Sequence, residues 1–177
     1  MVTQEEDTLI AQSRKGDLDA FAALICLHQP MIYSLAYRMS GSDADAQDLA
    51  QETFIRAFHG LNSYRGSAKF SSWLYRIALN LCLRWKKHEQ RREWMNDEWA
   101  RREVRAEASD PASERVREAL AALSPKQRAA VVLTVYDGLT HAEAAGLLGC
   151  RESTLSWRLF AARTRLARLL REEGNGR

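Results

Sequence analysis

Between residues 18 and 39, apolar side chains return every three or four positions: Leu18, Phe21, Leu24, Ile25, Ile32, Leu35, Ala36 and Met39. That spacing is the period of an α-helix, and it predicts a helix with one face turned to a core. Pro30 falls inside the run, so it either kinks one long helix or sits in the first turn of a new one. The same rhythm continues through most of the chain. The expected fold class is therefore all-α, and an apolar fraction of 46% over 177 residues is enough to build real cores.

Punctuation divides the helices. Gly41-Ser42-Asp43 ends one and caps the next. Asn62-Ser63-Tyr64-Arg65-Gly66-Ser67 is a polar loop before a further helix from about Lys69. From Gln90 to Ser113 the period fades, with Trp94 and Trp99 set among Glu93, Asp97, Glu98 and several arginines, and Asp110-Pro111 marks a fresh start. This stretch reads as a tether. Beyond it, Ser124-Pro125-Lys126-Gln127 and Thr140-His141-Ala142-Glu143 are both helix-opening capping boxes. Gly149-Cys150 makes a turn before a long basic helix from about Arg151 to Arg171. A short helix, a glycine turn and a longer basic helix form the helix-turn-helix pattern. The expected architecture is two small helical domains, residues 1–92 and 113–177, joined by a linker over 93–112.

Charge alternates along the chain in blocks. Residues 1–60 carry −5, residues 61–92 carry +7, residues 93–118 carry −3 and residues 119–177 carry +4. Two separated basic patches are available for phosphates. Other function classes find little support. Cys26, Cys82 and Cys150 are scattered and read as small buried hydrophobes in a reducing compartment, and the four histidines are equally dispersed, so no metal or other cofactor is expected. No run of 18 apolar residues suggests membrane insertion, and the acidic start Met1-Val-Thr-Gln-Glu-Glu-Asp is unlike a secretory signal. No nucleophile–base pair or glycine-rich phosphate loop suggests an enzyme.

Three helix faces carry the functional reading. On the helix from Asp43, one side gathers Ala46, Leu49, Ala50, Thr53, Phe54 and Ala57, while Asp45, Asp48, Gln51, Glu52, Ile55 and His59 gather on the other. Acidic residues with an isoleucine among them suit protein docking, or simply a solvated face. On the next helix, Phe70, Leu74, Ile77, Ala78, Leu81 and Trp85 form the buried stripe, and Arg76, Asn80, Arg84, Lys87 and Arg91 line a different face with Trp73 at its edge. Cations track phosphates, Asn bonds a base edge and an aromatic ring stacks on an unpaired base. The alternative is a core tryptophan beside solubilising charges. On the last helix, Leu155, Leu159, Ala162 and Leu166 face inward, and Ser153, Trp157, Phe160 and Thr164 face outward, flanked by Arg151, Arg158 and Arg163. The two aromatics either meet thymine methyls or a masking protein, or one of them packs beneath the preceding helix.

These segments, in this order, resemble the extracytoplasmic-function (ECF) group of bacterial RNA polymerase sigma factors. Asp48-Leu-Ala-Gln-Glu-Thr-Phe-Ile-Arg-Ala-Phe is similar to the family's core-polymerase-binding motif, and Phe70-Ser-Ser-Trp-Leu-Tyr-Arg-Ile-Ala-Leu-Asn to its −10 and melting motif. Leu123-Ser-Pro-Lys-Gln-Arg, Asp137-Gly-Leu-Thr-His-Ala-Glu-Ala-Ala and Ser153-Thr-Leu-Ser-Trp-Arg-Leu are similar to its −35-binding helix-turn-helix. The resemblance implies that Asp48, Gln51 and Glu52, with Ile55 as apolar contact, dock on a coiled coil of the β′ subunit. It implies that the loop carrying Asn62, Ser63, Tyr64, Arg65 and Lys69 holds an extruded −10 base, with Trp73, Arg76, Asn80, Arg84 and Lys87 along the non-template strand. The second domain would sit on the β flap, with Arg151, Ser153, Thr154, Ser156, Trp157, Arg158, Phe160 and Arg163 at the −35 major groove. The negative tether would thread toward the RNA exit path.

The chain departs from the family pattern in places. Leu79 stands where arginine is usual, Ala144 where isoleucine is usual, Leu155-Ser156-Trp157 where Val-Lys-Ser or Val-Arg-Ser is common, and Ala161 where a basic residue is common. Fewer cations on the recognition helix mean fewer phosphate contacts and a weaker salt dependence. The expected function is that of a cytoplasmic ECF sigma factor without a catalytic site: it binds core RNA polymerase and promoter DNA, assists strand opening and is held in check by an anti-sigma factor. Two rivals differ in what they need. A stand-alone helix-turn-helix regulator would bind duplex without polymerase, and an interaction module would never meet DNA.

Overall fold

The computed structural model describes the backbone of residues 2–95 and 111–174 and the side chains of residues 5–89 and 114–169. The central part of the expected tether, 96–110, lies outside the described residues. The first half contains α1 (Val2–Arg14), α2 (Leu18–Ser40), α3 (Asp43–Gly60), a 3₁₀ turn (Leu61–Ser63) and α4 (Phe70–Met95). The second contains α5 (Pro111–Ala121), α6 (Pro125–Val131), α7 (His141–Leu147) and α8 (Glu152–Gly174). Among the described residues there is no strand.

The caps are those read from the sequence. Gly41 takes φ 80° and its N–H donates to the Tyr37 carbonyl, closing α2 in the left-handed conformation that glycine adopts without penalty. One residue later, the Ser42 side chain accepts the Asp45 N–H and opens α3. Both capping boxes of the second half are formed, at Ser124 with Gln127 and at Thr140 with Glu143. Pro30 leaves α2 a single helix. Pro30 and Cys26 both lie on its exposed side, so the carbonyl that Pro30 cannot bond is open to water. Cys26 thereby corrects the expectation of three interior cysteines: it sits about 200° around the helix from Leu24, away from the core. Cys82 is buried, and burial pushes its thiol pKa up to about 12. Cys150 is half-buried.

By length and composition α2 is apolar enough to cross a bilayer, which the sequence reading did not anticipate. Its strongest apolar side chains are committed elsewhere. Leu24, Ile32, Leu35 and Met39 are no more than 1% exposed and form the centre of the first-half core. Ala46, Leu49, Ala50, Phe54 and Ala57 of α3 and Phe70, Leu74, Ala78 and Leu81 of α4 pack against them. Each large side chain so buried contributes about 1.5–3 kcal/mol.

Helix α4 has a second buried side. Tyr75, Leu79 and Cys82 are all buried, and α4 touches both α6 and α7. The two halves therefore pack on one another. Leu79, where arginine is usual in the family, is 1% exposed, on the side of α4 that carries Tyr75. Helix α6 continues as a π turn over Val132–Tyr136, in which the Asp137 N–H reaches back to the Val132 carbonyl at 3.1 Å. This widened turn delivers Asp137 to the seam, where its carboxylate accepts the Tyr75 hydroxyl and lies 3.9 Å from Arg38 Nη1. Burial raises the Asp137 pKa, against the pull of Tyr75 and Arg38. The Arg38 guanidinium also lies 4.7 Å from the centre of the Tyr136 ring.

Arg128 of α6 reaches furthest across the seam. It is 3% exposed, its Nε donates to the Leu120 carbonyl at 2.7 Å and its Nη1 donates to the Met39 carbonyl at 2.7 Å. Both acceptors lie at helix C-termini, where the macrodipole favours a cation, and the Leu120 carbonyl also accepts the Leu123 N–H at 3.1 Å. Burial lowers the Arg128 pKa, opposed by nearby Glu89. Replacing it should strip the Met39 carbonyl of its side-chain donor in a dry site and leave the Leu120 carbonyl with only the Leu123 N–H. Arg128→Met is expected to lower the unfolding free energy by about 3 kcal/mol in a urea titration, and a loss below about 1 kcal/mol would mean that its desolvation cancels its bonds. Tyr75→Phe, which strips one donor from Asp137, should cost about 1–2 kcal/mol in the same assay.

Candidate functional site

Ser42 fixes the start of α3, and the alanine-rich face of that helix turns inward, so its acidic face points to solvent. Asp48, Gln51 and Ile55 are exposed, Ile55 to 45%. Glu52 is half-buried and its carboxylate accepts Arg56 Nε at 2.6 Å, one turn along. Arg76 and Arg84 are themselves exposed, and the ion-pair partner of Glu52 is Arg56 of its own helix. Beside the face runs a groove of about 910 Å³ between α2 and α3, lined by Leu18, Phe21, Ile25, Phe54, Ile55 and Phe58 among others. Leu18 is 66% exposed and Phe58 37%. Of the three α2 residues here that the sequence reading assigned to the core stripe, Phe21 is buried and Ile25 is half-buried against the core, while Leu18 is not in it. The signal that the sequence reading passed over was a surplus: α2 carries more large apolar residues than one helix face can bury. An apolar trough whose polar lining includes Gln29, Gln47, Gln51 and His59 suits the apolar face of a helix.

The second surface begins at the 3₁₀ turn and runs along α4. Asn62, Ser63, Arg65 and Lys69 are exposed, and Tyr64 is half-buried. The loop is tied to itself, because Ser63 Oγ donates to the Gly60 carbonyl and the Tyr64 hydroxyl to the Ala68 carbonyl, both at 2.6 Å. Burial raises the Tyr64 pKa, reinforced by Asp7 and Glu6 and opposed by Arg14. Trp73 is half-buried, its ring centre 5.4 Å from Tyr64 and 5.5 Å from Phe70. It lies over Gly60, where an added Cβ would already touch the indole at 3.5 Å. The indole is thus a fixed wall of the loop and neither pure core nor free surface. From there Arg76, Asn80, Arg84 and Lys87 stand exposed in a row one helical turn apart. This row gives cations for phosphates and an amide for a base edge, with an aromatic wall beside the loop.

The third surface is the outer face of α8. Leu155, Leu159 and Ala162 are buried as expected. Trp157 is 66% exposed and Phe160 68%, so neither packs beneath α7. Arg151, Ser153, Ser156 and Arg163 are exposed, while Thr154 and Arg158 are half-buried. Arg158 folds back, its Nη1 3.4 Å from Cys150 Sγ, and Ser156 Oγ lies 3.4 Å from His141 Nδ1. Arg151 and Arg163 are therefore the freer cations of the three. At the head of α7, Glu143 is held below the usual carboxylate range by hydrogen bonds from Thr140.

Comparison with known proteins agrees with this geometry. The sigma-70 region 2 family model matches residues 24–92 and the sigma-70 region 4 model matches residues 113–166. The ECF RNA polymerase sigma factor SigW of Bacillus subtilis (strain 168) is 33% identical over 178 residues, covering 92% of this chain and 95% of SigW. The solved structure of CnrH in complex with the cytosolic domain of CnrY matches with a TM-score of 0.69 and 28% identity over 95% of this chain and 98% of that one. The sigma factor RpoE, in its complex with the anti-sigma factor NepR from Bartonella quintana, matches with a TM-score of 0.67 and 26% identity over 85% of this chain and 96% of that one. Two sigma-70 regions in order on an all-helical fold, together with a relative alike along nearly its whole length, place the chain in a family: it belongs to the ECF RNA polymerase sigma factors.

Proposed function

We propose that the exposed face of α3 is the grip on core RNA polymerase and that the loop 62–69 with α4 is the promoter −10 surface. The observation that carries this reading is the divergence of the two faces: Asp48 and Ile55 are exposed on α3, and Arg76, Asn80, Arg84 and Lys87 are exposed in a row on α4. A sigma factor must touch protein and DNA at once, and mixing the two charges on one face would cancel both attractions. Asp48, Gln51 and Glu52 meet the β′ coiled coil, with Ile55 and the groove beside it as the apolar part of the contact. Asn62, Ser63, Tyr64, Arg65, Lys69 and Trp73 shape the site for the extruded base. Arg76, Asn80, Arg84 and Lys87 follow the non-template strand. Residues 113–177 form the −35 domain on the β flap, with Trp157, Phe160, Arg151 and Arg163 foremost on the duplex. The protein works in the cytoplasm and adds no active site to the polymerase. An anti-sigma factor holds the protein in check by covering its docking surfaces, a reading supported by the similar fold of RpoE, which was solved in complex with the anti-sigma factor NepR.

The packed arrangement of the halves has a consequence for this reading. The −10 and −35 elements lie roughly 25 base pairs apart, on the order of 80 Å of duplex. Helix α4 touches α7, and α7 touches α8, so the two DNA surfaces are separated by about two helix diameters, roughly 20–30 Å. Reading both elements at once requires the halves to part. A segment of the length of 96–110 can span at most about 50 Å, which makes that separation possible.

Run-off transcription with purified core polymerase and a promoter library tests the function itself, and no initiation above core enzyme alone would remove it. Asp48→Ala with Glu52→Ala should abolish initiation, whereas Lys15→Ala should leave it within about twofold, the range of an exposed charge. Trp157→Ala should change which promoters are chosen more than the affinity for core polymerase, and an equal loss of both would make Trp157 structural. A donor–acceptor fluorophore pair at Ser72 and Ser153 should show high transfer in the free protein and a large fall on the promoter-bound polymerase. Unchanged transfer would rule out separation of the halves.

A further inference from the structure

We propose that Arg14, the last residue of α1, is a positioning residue that presets the base-holding loop, an inference that rests on the −10 reading above. Its Nη2 donates to the Tyr64 carbonyl and its Nε to the Leu61 carbonyl at 3.4 Å, with the guanidinium carbon 5.7 Å from the centre of the Tyr64 ring. One fork thus holds two carbonyls that bracket the 3₁₀ turn. The Leu61 carbonyl also accepts the Tyr64 N–H at 3.2 Å, so the guanidinium binds the turn at its own closing bond. The Ser63 and Tyr64 side-chain bonds lace the loop internally, and Arg14 fastens it to a different helix.

That helix is well anchored. Ile10 and Ser13 are each 4% exposed, and Ser13 Oγ donates to the Leu9 carbonyl at 2.7 Å. Glu6 lies 2.6 Å from His28 Nε2, and the His28 ring meets Phe70, the first residue of α4, edge to face at 5.5 Å. Helix α1 therefore bears on both ends of the loop, on Leu61 and Tyr64 through Arg14 and on Phe70 through His28. A cation at the C-terminus of α1 is also favoured by that helix's own dipole. Arg14 lies outside the segment 24–92 that matches sigma-70 region 2.

The physical role follows from the side chain's shape. An arginine presents several donors in a fixed plane and can satisfy two acceptors together, whereas a lysine offers a single point charge on a flexible stem. A loop ordered before the base arrives does not lose that conformational freedom on binding, so capture is tighter. Arg14 itself is exposed, and removing it leaves no cavity in a core. Its loss should be felt in base capture and hardly in folding.

The test uses the full-length protein reconstituted with core polymerase on a promoter obtained from the library selection. The non-template strand is premelted and scanned with abasic sites, and complex affinity is read by gel shift. The wild type should lose about tenfold at one −10 position, the value of one stacked and bonded base. Arg14→Ala and Arg14→Lys should each bind the intact template about five- to tenfold more weakly, the scale of one ordinary hydrogen bond, and match the wild type on the template abasic at that position. Variants that bind the intact template as the wild type does would overturn the proposal. So would variants that lose the same factor on both templates, which marks a general structural effect, or Arg14→Lys restoring full affinity, which marks charge alone. If no abasic position affects the wild type, the base-holding loop itself is wrong, and that result is distinct from a failure of Arg14.

Discussion

Helix α4 is enclosed on two sides, and the rest of the molecule is arranged around that enclosure. Phe70, Leu74 and Leu81 close the first-half core, and Tyr75, Leu79 and Cys82 face away from that stripe on the side with the Tyr75–Asp137 bond to the second half. One arc of the helix stays in water, and it carries Arg76, Asn80, Arg84 and Lys87. Charges are costly to bury without partners, so the unpaired cations among the helix's described residues gather on this arc, while Lys86, off it, is half-buried and paired with Glu89. Arg128 is the instructive exception: a buried guanidinium held by two helix-terminal carbonyls, one from each half.

Local physics made much of this legible before any coordinates. The serine and threonine caps, the glycine that ends α2 and the inward faces of α3 and α8 depend on residues within one or two turns of each other, and each appears where the sequence put it. What was not legible is non-local. Nothing near Arg128 in sequence marks it as buried, because its acceptor at Met39 lies in the other half of the chain. The π turn over Val132–Tyr136 has no spacing signature of its own, and its result, Asp137 against Tyr75, pairs residues from different halves. Arg14 was one basic residue in an acidic block, and only folding shows that its fork reaches Leu61 and Tyr64.

The site shows the same division. The acidic and cationic faces were readable because helical periodicity sorts exposed from buried residues. The groove between α2 and α3 was not, since Leu18 has the spacing of a core residue and yet is 66% exposed at its edge. Trp73 falls between the two readings offered for it, packed on Gly60 and Tyr64 yet still half open at the edge of the cationic row. The departures at Leu79 and Ala144 are both nearly inaccessible to solvent, so in this chain they answer to packing rather than to recognition.

The central claim is that one compact first half offers different partners to different faces. Photo-crosslinking tests it most directly, with p-benzoylphenylalanine placed singly at Ile55 and at Arg84 and the protein assembled with core polymerase on promoter DNA. The Ile55 probe should label a polymerase subunit and leave DNA unmarked, and the Arg84 probe should label the non-template strand. DNA labelled from Ile55, or only protein labelled from Arg84, would contradict the assignment of the two faces.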